Sequence, residues 1–209
     1  MSPLAVDVIS HPLAKQLVSE LRDKLTPPEH YRRVCHKLTT MLVLEATTGL
    51  QTASKKVDTP LETTDCDVLG EGLAVVPILR AGLGMLDAVT ELFDDVKVGY
   101  IGLERAHDTA VAHRYYCKLP DLKGRRVLCL DPMLATGGSA SQAISFMKAN
   151  GAERVVMVSV IAAPEGVSRL NLDHPDVRIV TAALDRELDP RKYILPGLGD
   201  FGDRLFGTF

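Results

Sequence analysis

Between Pro12 and Leu25 the apolar residues Leu13, Leu17, Val18, Leu21 and Leu25 recur every three or four positions, the spacing of one helical face. Pro12 suits a first helical position, where a missing N–H costs no intrahelical bond. Thr26-Pro27-Pro28-Glu29 has the form of a capping box, a threonine hydroxyl and a glutamate three residues later satisfying unpaired N–H groups, so a second helix is expected to start there. Its face of Tyr31, Val34, Cys35, Leu38, Met41, Leu42 and Glu45 continues to Gly49, a natural stop. Residues 51–70 are rich in Thr and Asp, with an extended stretch from Val57 to Leu61 around Pro60; this reads as a strand and connecting arm.

From Leu73 the pattern changes. Residues 73–79, 96–103, 127–130, 155–162 and 177–183 are short apolar runs rich in β-branched residues, without clean polar alternation. Such runs suit parallel strands covered on both faces. Helical patterns fall between them at about 83–93, 139–150 and 166–172. The alternation predicts an α/β fold, an open and mainly parallel sheet flanked by helices, with ligands at the carboxyl ends of strands.

Composition narrows the class without changing that picture. A chain of 209 residues is long enough to bury an independent core and fits one domain with an appendage. Its 46% apolar and 24% charged residues, with 16 glycines and 12 prolines, exclude collagenous and disordered chains. The 24 basic residues against 27 acidic ones leave a net charge of −3, a poor match to a nucleic-acid partner. The longest apolar run, Val155 to Ala163, is far shorter than a membrane span. Asp7, His11 and Lys15 interrupt the apolar core that a signal peptide needs. A cytoplasmic location is expected.

The four cysteines, Cys35, Cys66, Cys117 and Cys129, form no CxxC pair and are expected reduced, Cys129 in the core. Cys35 and His36 are adjacent, but helical neighbours point in different directions. His107 and His113 in a polar stretch are expected to be solvated.

The segment richest in chemistry is Val127-Leu-Cys-Leu-Asp131-Pro-Met-Leu-Ala-Thr136-Gly137-Gly138-Ser139. A buried strand ends at a carboxylate, a short loop carries Thr, two Gly and Ser, and a helix begins. Such a loop can aim backbone N–H groups and a helix N-terminus at one phosphate, with Thr136 and Ser139 adding hydroxyls. Asp131 beside a phosphate is better explained as an acceptor for sugar hydroxyls. A tight turn with Ser139 as N-cap is the plainer alternative. No GxxxxGK[ST] occurs, which disfavours an NTP-hydrolysing P-loop. Val75-Val-Pro-Ile-Leu-Arg80-Ala-Gly82-Leu-Gly84-Met is a second strand, loop and helix start. Arg80 there can bind phosphate oxygens bidentately, the alternative being a solvated arginine.

The Asp131 to Ser139 loop resembles the phosphoribosyl-diphosphate (PRPP) loop of type I phosphoribosyltransferases. Its single acid, Asp131-Pro132 where many relatives carry two, points to the uracil branch. The Arg80 segment is similar to the family's pyrophosphate-contacting loop, and Arg105 matches its second PRPP-binding arginine. The chain reads Glu104-Arg105-Ala-His-Asp-Thr109 and then His113-Arg114-Tyr115-Tyr116, whereas the family commonly has Tyr before this arginine and Glu-rich residues after it. Tyr193-Ile194-Leu-Pro-Gly197-Leu-Gly199-Asp200-Phe201-Gly202-Asp203-Arg204 resembles the uracil-binding loop, with Phe201 where bacterial relatives commonly have Ala. Gly197 to Gly202 also matches GxGxxG, but too few residues follow for a dinucleotide fold, which removes a nicotinamide-dependent oxidoreductase. Ala162-Ala163-Pro164-Glu165-Gly166 looks familial and reads as structural.

The resemblance runs from His11 to Thr208. It implies one phosphoribosyltransferase domain over 1–209, with a helical and β-arm appendage at 1–70 and a binding core at 71–209. The implied reaction is uracil plus PRPP giving UMP and pyrophosphate. Arg80, Arg105, Asp131 and Asp200 would be catalytic. PRPP would be held by these four with Pro132, Met133, Leu134, Ala135, Thr136, Gly137, Gly138 and Ser139. Uracil would meet Tyr193, Ile194, Gly199, Asp200 and Phe201. Magnesium would arrive mainly with PRPP, GTP would be an effector, and a homodimer or higher homo-oligomer is implied, without nucleic acid or membrane as partner. A rival from another class, an RNA-binding regulator that senses uridine nucleotides, needs a basic face, and the Arg32-Arg33 and Arg125-Arg126 pairs are far apart in the chain.

Overall fold

The computed structural model describes residues 5–105 and 112–208. A short strand β1 (Asp7–Val8) leads into helices α1 (Pro12–Arg22) and α2 (Pro28–Ala46). His11 caps α1, its Nδ1 accepting from the Leu13 N–H at 3.1 Å, with Pro12 next as expected. The helix stops at Arg22, short of the expected Leu25: Asp23 turns extended, and its carboxylate accepts from the Leu25 N–H at 2.9 Å. The expected capping box does not form. Thr26 Oγ1 donates to the Glu20 carbonyl at 2.6 Å, and α2 begins at Pro28 without a side-chain cap.

The arm is a hairpin of β2 (Thr52–Asp58) and β3 (Thr63–Leu69), paired from Thr52 opposite Leu69 to Asp58 opposite Thr63. All its strand residues are exposed except the half-buried Val57 and Cys66. Pro60 sits in the turn, not in an extended stretch; Thr59 Oγ1 closes that turn by donating to the Glu62 carbonyl at 2.8 Å.

The remaining elements are β4 (Gly72–Leu79), α3 (Leu83–Leu92), β5 (Val96–Val98), β6 (Tyr100–Arg105), β7 (Ala112–Lys118), β8 (Arg125–Leu130), β9 (Met133–Leu134), α4 (Gly138–Ala149), β10 (Arg154–Ala162), α5 (Pro164–Asp173), β11 (Arg178–Leu184), β12 (Glu187–Leu188), β13 (Ile194–Leu195) and α6 (Phe201–Phe206). The main sheet runs β1-β11-β10-β8-β4-β6-β7, with β5 beside β4 and β9 beside β10. Every pairing in it is parallel except β6 with β7. The predicted 96–103 strand is interrupted at Gly99, whose N–H donates to the Val75 carbonyl. α5 starts at Pro164, before the predicted Gly166.

Both sheet faces are covered, as the apolar runs require. Side chains alternate between them: Val75, Leu128 and Val158 pack with α1, α2, α3 and α6, whereas Ala74, Val127, Cys129 and Met157 pack with α4 and α5. Cys35 and Cys129 are fully buried. Cys35 donates to the Gly84 carbonyl at 3.4 Å while His36 pairs with Glu91 at 3.0 Å, so the two neighbours do point apart.

Candidate active site

Strands β4 and β8 lie side by side in the middle of the sheet, with Pro77 opposite Leu130. Just beyond their carboxyl ends the chain leaves in two loops. After β4 comes the exposed Arg80, its Cζ 6.0 Å from the centre of the Phe206 ring. Gly82 presses the loop onto the sheet: a Cβ there would lie 2.5 Å from the Leu130 carbonyl oxygen and 2.7 Å from that of Ile78, so no other residue fits.

After β8, the Asp131 N–H donates to the Val158 carbonyl at 3.2 Å and its carboxylate accepts from the Met133 N–H at 3.3 Å. The loop then turns through Gly137, at φ +76°, into α4. Gly137, not Ser139, is the N-cap, so the plainer capping role for Ser139 is absent. The start of α4, where the Gly138 N–H reaches Thr136 Oγ1 at 3.5 Å, opens beside a small recess lined by Asp131, Met133, Leu134, Ala135, Thr136, Gly137 and Ser139, the setting in which first-turn N–H groups attract an anion. The start of α5 braces this loop from below. A Cβ on Gly166 would lie 2.5 Å from the Ala135 carbonyl oxygen, and one on Gly137 would lie 2.8 Å from the Gly166 oxygen, which gives the 162–166 segment the structural part expected of it.

The third loop follows β13. Leu195–Pro196 is a cis peptide, and Gly197 and Gly199 have φ of +62° and +77°. Asp200 caps α6, its Oδ1 accepting from the Asp203 N–H at 2.9 Å. Phe201 is 2% exposed, and its ring meets that of Tyr31 edge to face, ring centres 5.3 Å apart. The ring thus belongs to the core.

The three loops enclose a cavity of about 460 Å³. Of the residues singled out in the sequence, Arg80, Asp131, Met133, Ala135, Ser139, Tyr193, Ile194, Gly199, Asp200 and Phe201 line it, and Leu134, Thr136 and Gly137 line the adjoining recess. Pro132 and Gly138 line neither: Pro132 is buried, its carbonyl accepting from Val160 and Ile161, and Gly138 is the first residue of α4. Arg105 closes β6; its side chain, like His107 and the side chain of His113, lies outside the described residues. Sequence reasoning overlooked Arg191 and Lys192, which line the cavity, and its apolar wall of Ile78, Leu79 and Leu103. The adjacent basic pair directly before Tyr193 was the available signal. Among the described residues no group of three His, Cys, Asp or Glu side chains converges on a metal site.

Comparison with known proteins agrees with the geometry. The profile of the family described as uracil phosphoribosyltransferase matches residues 8–208. A uracil phosphoribosyltransferase of Dictyoglomus thermophilum is 47% identical over 97% of this chain and 99% of its own length, and one of Symbiobacterium thermophilum is 48% identical over 97% and 98%. A solved protein of Aquifex aeolicus superposes with a TM-score of 0.93 at 39% identity, covering 97% of this chain and 98% of that one. A phosphoribosyltransferase of Corynebacterium diphtheriae, 17% identical with a TM-score of 0.52 over 82% and 92%, shares the fold. A match that takes in all three loops at this identity settles the lineage: the chain belongs to the uracil phosphoribosyltransferase family.

Proposed function

We infer that the cavity joins uracil to PRPP, giving UMP and pyrophosphate, with the roles of individual residues as follows. The observation that carries the reading is the meeting of an anion-suited loop, 131–139, with the glycine-rich 193–202 loop across one cavity. The reaction breaks the C1–oxygen bond of PRPP and forms a C1–nitrogen bond while positive charge develops on the ribose. Neutralising the leaving group and aligning the base are what such a site must supply. Arg80 and Arg105 take the pyrophosphate, since guanidinium groups bind paired phosphate oxygens. The 136–139 turn takes the 5′-phosphate, and Asp131 accepts from the ribose hydroxyls. Asp200 faces PRPP from the opposite loop, and Tyr193, Ile194, Gly199 and the main chain of Phe201 meet the base. The uracil N1 proton leaves through water or PRPP oxygens.

The carboxylates at the cavity, Asp131 and Asp200, suit magnesium, which binds through few carboxylates and several substrate oxygens; bound with PRPP, it would offset pyrophosphate charge. The same reading includes a single domain, GTP as effector, a homo-oligomer and a cytoplasmic setting. The RNA-binding alternative loses support from the surface arginines. Arg32 donates to the Leu205 carbonyl at 2.8 Å, and Arg126 pairs with the buried Glu71 at 3.2 Å.

A coupled assay of UMP formation from uracil, PRPP and magnesium chloride tests the reading, with GTP added in a second arm and solution mass measured alongside. No UMP would refute it.

A further inference from the structure

The loop that carries Gly199 is held from outside by the end of α1. Arg22, the last residue of that helix, donates from Nη1 to Asp185 Oδ2 at 2.9 Å and from Nη2 to Oδ1 at 2.5 Å. The pair spans 163 positions of sequence. The Asp185 side chain is 4% exposed and that of Arg22 25%. Both groups also grip one residue of the loop: the Gly197 N–H donates to Asp185 Oδ2 at 3.0 Å, and the Gly197 carbonyl accepts from Arg22 Nη1 at 2.7 Å. A second guanidinium completes the hold. Arg204 donates from Nη1 to the carbonyls of Leu198, at 2.9 Å, and Leu21, and from Nη2 to that of Asp23 at 2.5 Å. It lies over the Tyr31 ring, Cζ 4.5 Å from its centre.

The carbonyls of Gly197 and Leu198 are therefore both committed to arginines tied to the end of α1. None of Arg22, Asp185 or Arg204 lines the cavity, whereas Gly199, Asp200 and Phe201 do. We propose that Arg22 and Asp185 are positioning residues for the base: by fixing both sides of Gly197 they set the main chain two residues on in register with the edge of uracil. The proposal rests on the assignment of the 194–201 loop to the base. It asks for little movement to have a large effect, because a displacement of about 1 Å at a substrate-positioning group costs on the order of a hundredfold in rate. An ion pair with four hydrogen bonds in a mostly buried setting is stiff in the way that task requires.

The test is steady-state kinetics on the full chain, varying uracil at saturating PRPP and PRPP at saturating uracil. Arg22→Ala and Asp185→Asn are expected to raise KM for uracil by about tenfold or more, leave KM for PRPP within about twofold, and narrow the preference for uracil over cytosine. Arg22→Lys, which keeps a charged donor but loses the fork, recovers part of the loss. Arg22→Ala strands a buried carboxylate, so Arg22→Gln combined with Asp185→Asn, which leaves no charge behind, serves as a folded comparator and is expected to show the same split. A merely structural pair would lower the melting temperature without separating the two KM values. Folded variants whose two KM values rise together, or do not move, overturn the proposal. If the wild-type chain forms no UMP, the assignment of function falls instead, and the clamp is then read by hydrogen exchange. Faster exchange of the Gly197 amide in Arg22→Ala, with residues 136–141 unchanged, supports it, and unchanged exchange refutes it.

Discussion

Phe201→Ala separates two tasks that fall on one residue. The residue is 2% exposed with its ring edge-on to Tyr31, while its position lines the cavity. Truncating a buried phenylalanine costs about 3–5 kcal/mol, which includes about 0.5–1.5 kcal/mol for the aromatic pair. A chain of this length loses about 2–4 °C of Tm per kcal/mol, so the melting temperature should fall by roughly 6–20 °C. Native stability is about 5–15 kcal/mol, and assays well below the new midpoint still observe folded protein. Base choice should survive, because the ring faces the core. Uracil and cytosine differ in donor and acceptor at two positions of the edge, and each mismatch against a fixed main-chain group costs about 1–3 kcal/mol, which gives roughly 30-fold to 10⁴-fold discrimination. Scanning calorimetry and kcat/KM for both bases, on wild type and variant, measure the two effects. A Tm shift below about 2 °C would mean that the ring is not packed as described. Loss of the uracil preference in folded protein would move the readout to the side chain and refute the main-chain reading.

Gly199 lines the cavity at φ +77°, and a β-branched residue in that conformation costs about 1–2 kcal/mol; Gly199→Val should abolish uracil use while PRPP binding persists in a calorimetric titration, and full activity would count against the loop's role. Asp131→Asn should weaken PRPP binding by about tenfold with the fold intact, and equal or tighter binding would remove the ribose assignment. Burial pushes the Cys35 thiol up to about 12 and the Cys129 thiol well above its ordinary value, whereas Cys66 and Cys117 are half-buried. A thiol reagent at about pH 8 should therefore titrate two cysteines in the native chain and four after denaturation; four in the native chain would contradict the packing.

The central strands β4, β8, β10 and β11 were legible because each is apolar and largely buried on both sides, a pattern that survives any register. Where no face is buried, the pattern has nothing to report. Thr52–Leu69 is exposed along both strands apart from Val57 and Cys66, and its turn at Pro60 is set by Thr59 rather than by hydrophobic order; Ala112–Lys118, at the edge of the sheet beside β6, also escaped notice, and Tyr115 and Tyr116 within it are exposed. The capping box at Thr26 is absent because α2 takes Pro27 as its N-cap, one residue on, and the Thr26 hydroxyl donates to the Glu20 carbonyl. In the candidate site, the residues singled out between Asp131 and Ser139 are consecutive in sequence, and all but Pro132 and Gly138 line the cavity or its recess. Arg191 and Lys192 offered a weaker signal, an adjacent basic pair before Tyr193, and the turn between β12 and β13, where Lys192 takes φ +71°, is what brings them to the cavity. Arg22 and Asp185 lie at opposite ends of the chain, and no spacing rule joins them.

The pairing of β1 with β11, Asp7 opposite Val180, has a consequence for synthesis. Arg178 reaches both Asp7 and Glu45 at 2.6 Å, and the core under α1 and α2 includes Val156, Val158, Val180 and Ala182. The first two helices therefore leave the ribosome well before the strands they must cover. At about 5–20 residues per second, they wait on the order of ten seconds with Leu17, Leu21, Leu38 and Leu42 unsheltered, an interval in which a holding chaperone has an obvious client. The 194–201 loop emerges later still, and it is finished only when Arg22, made among the first residues, is already in place to hold Gly197.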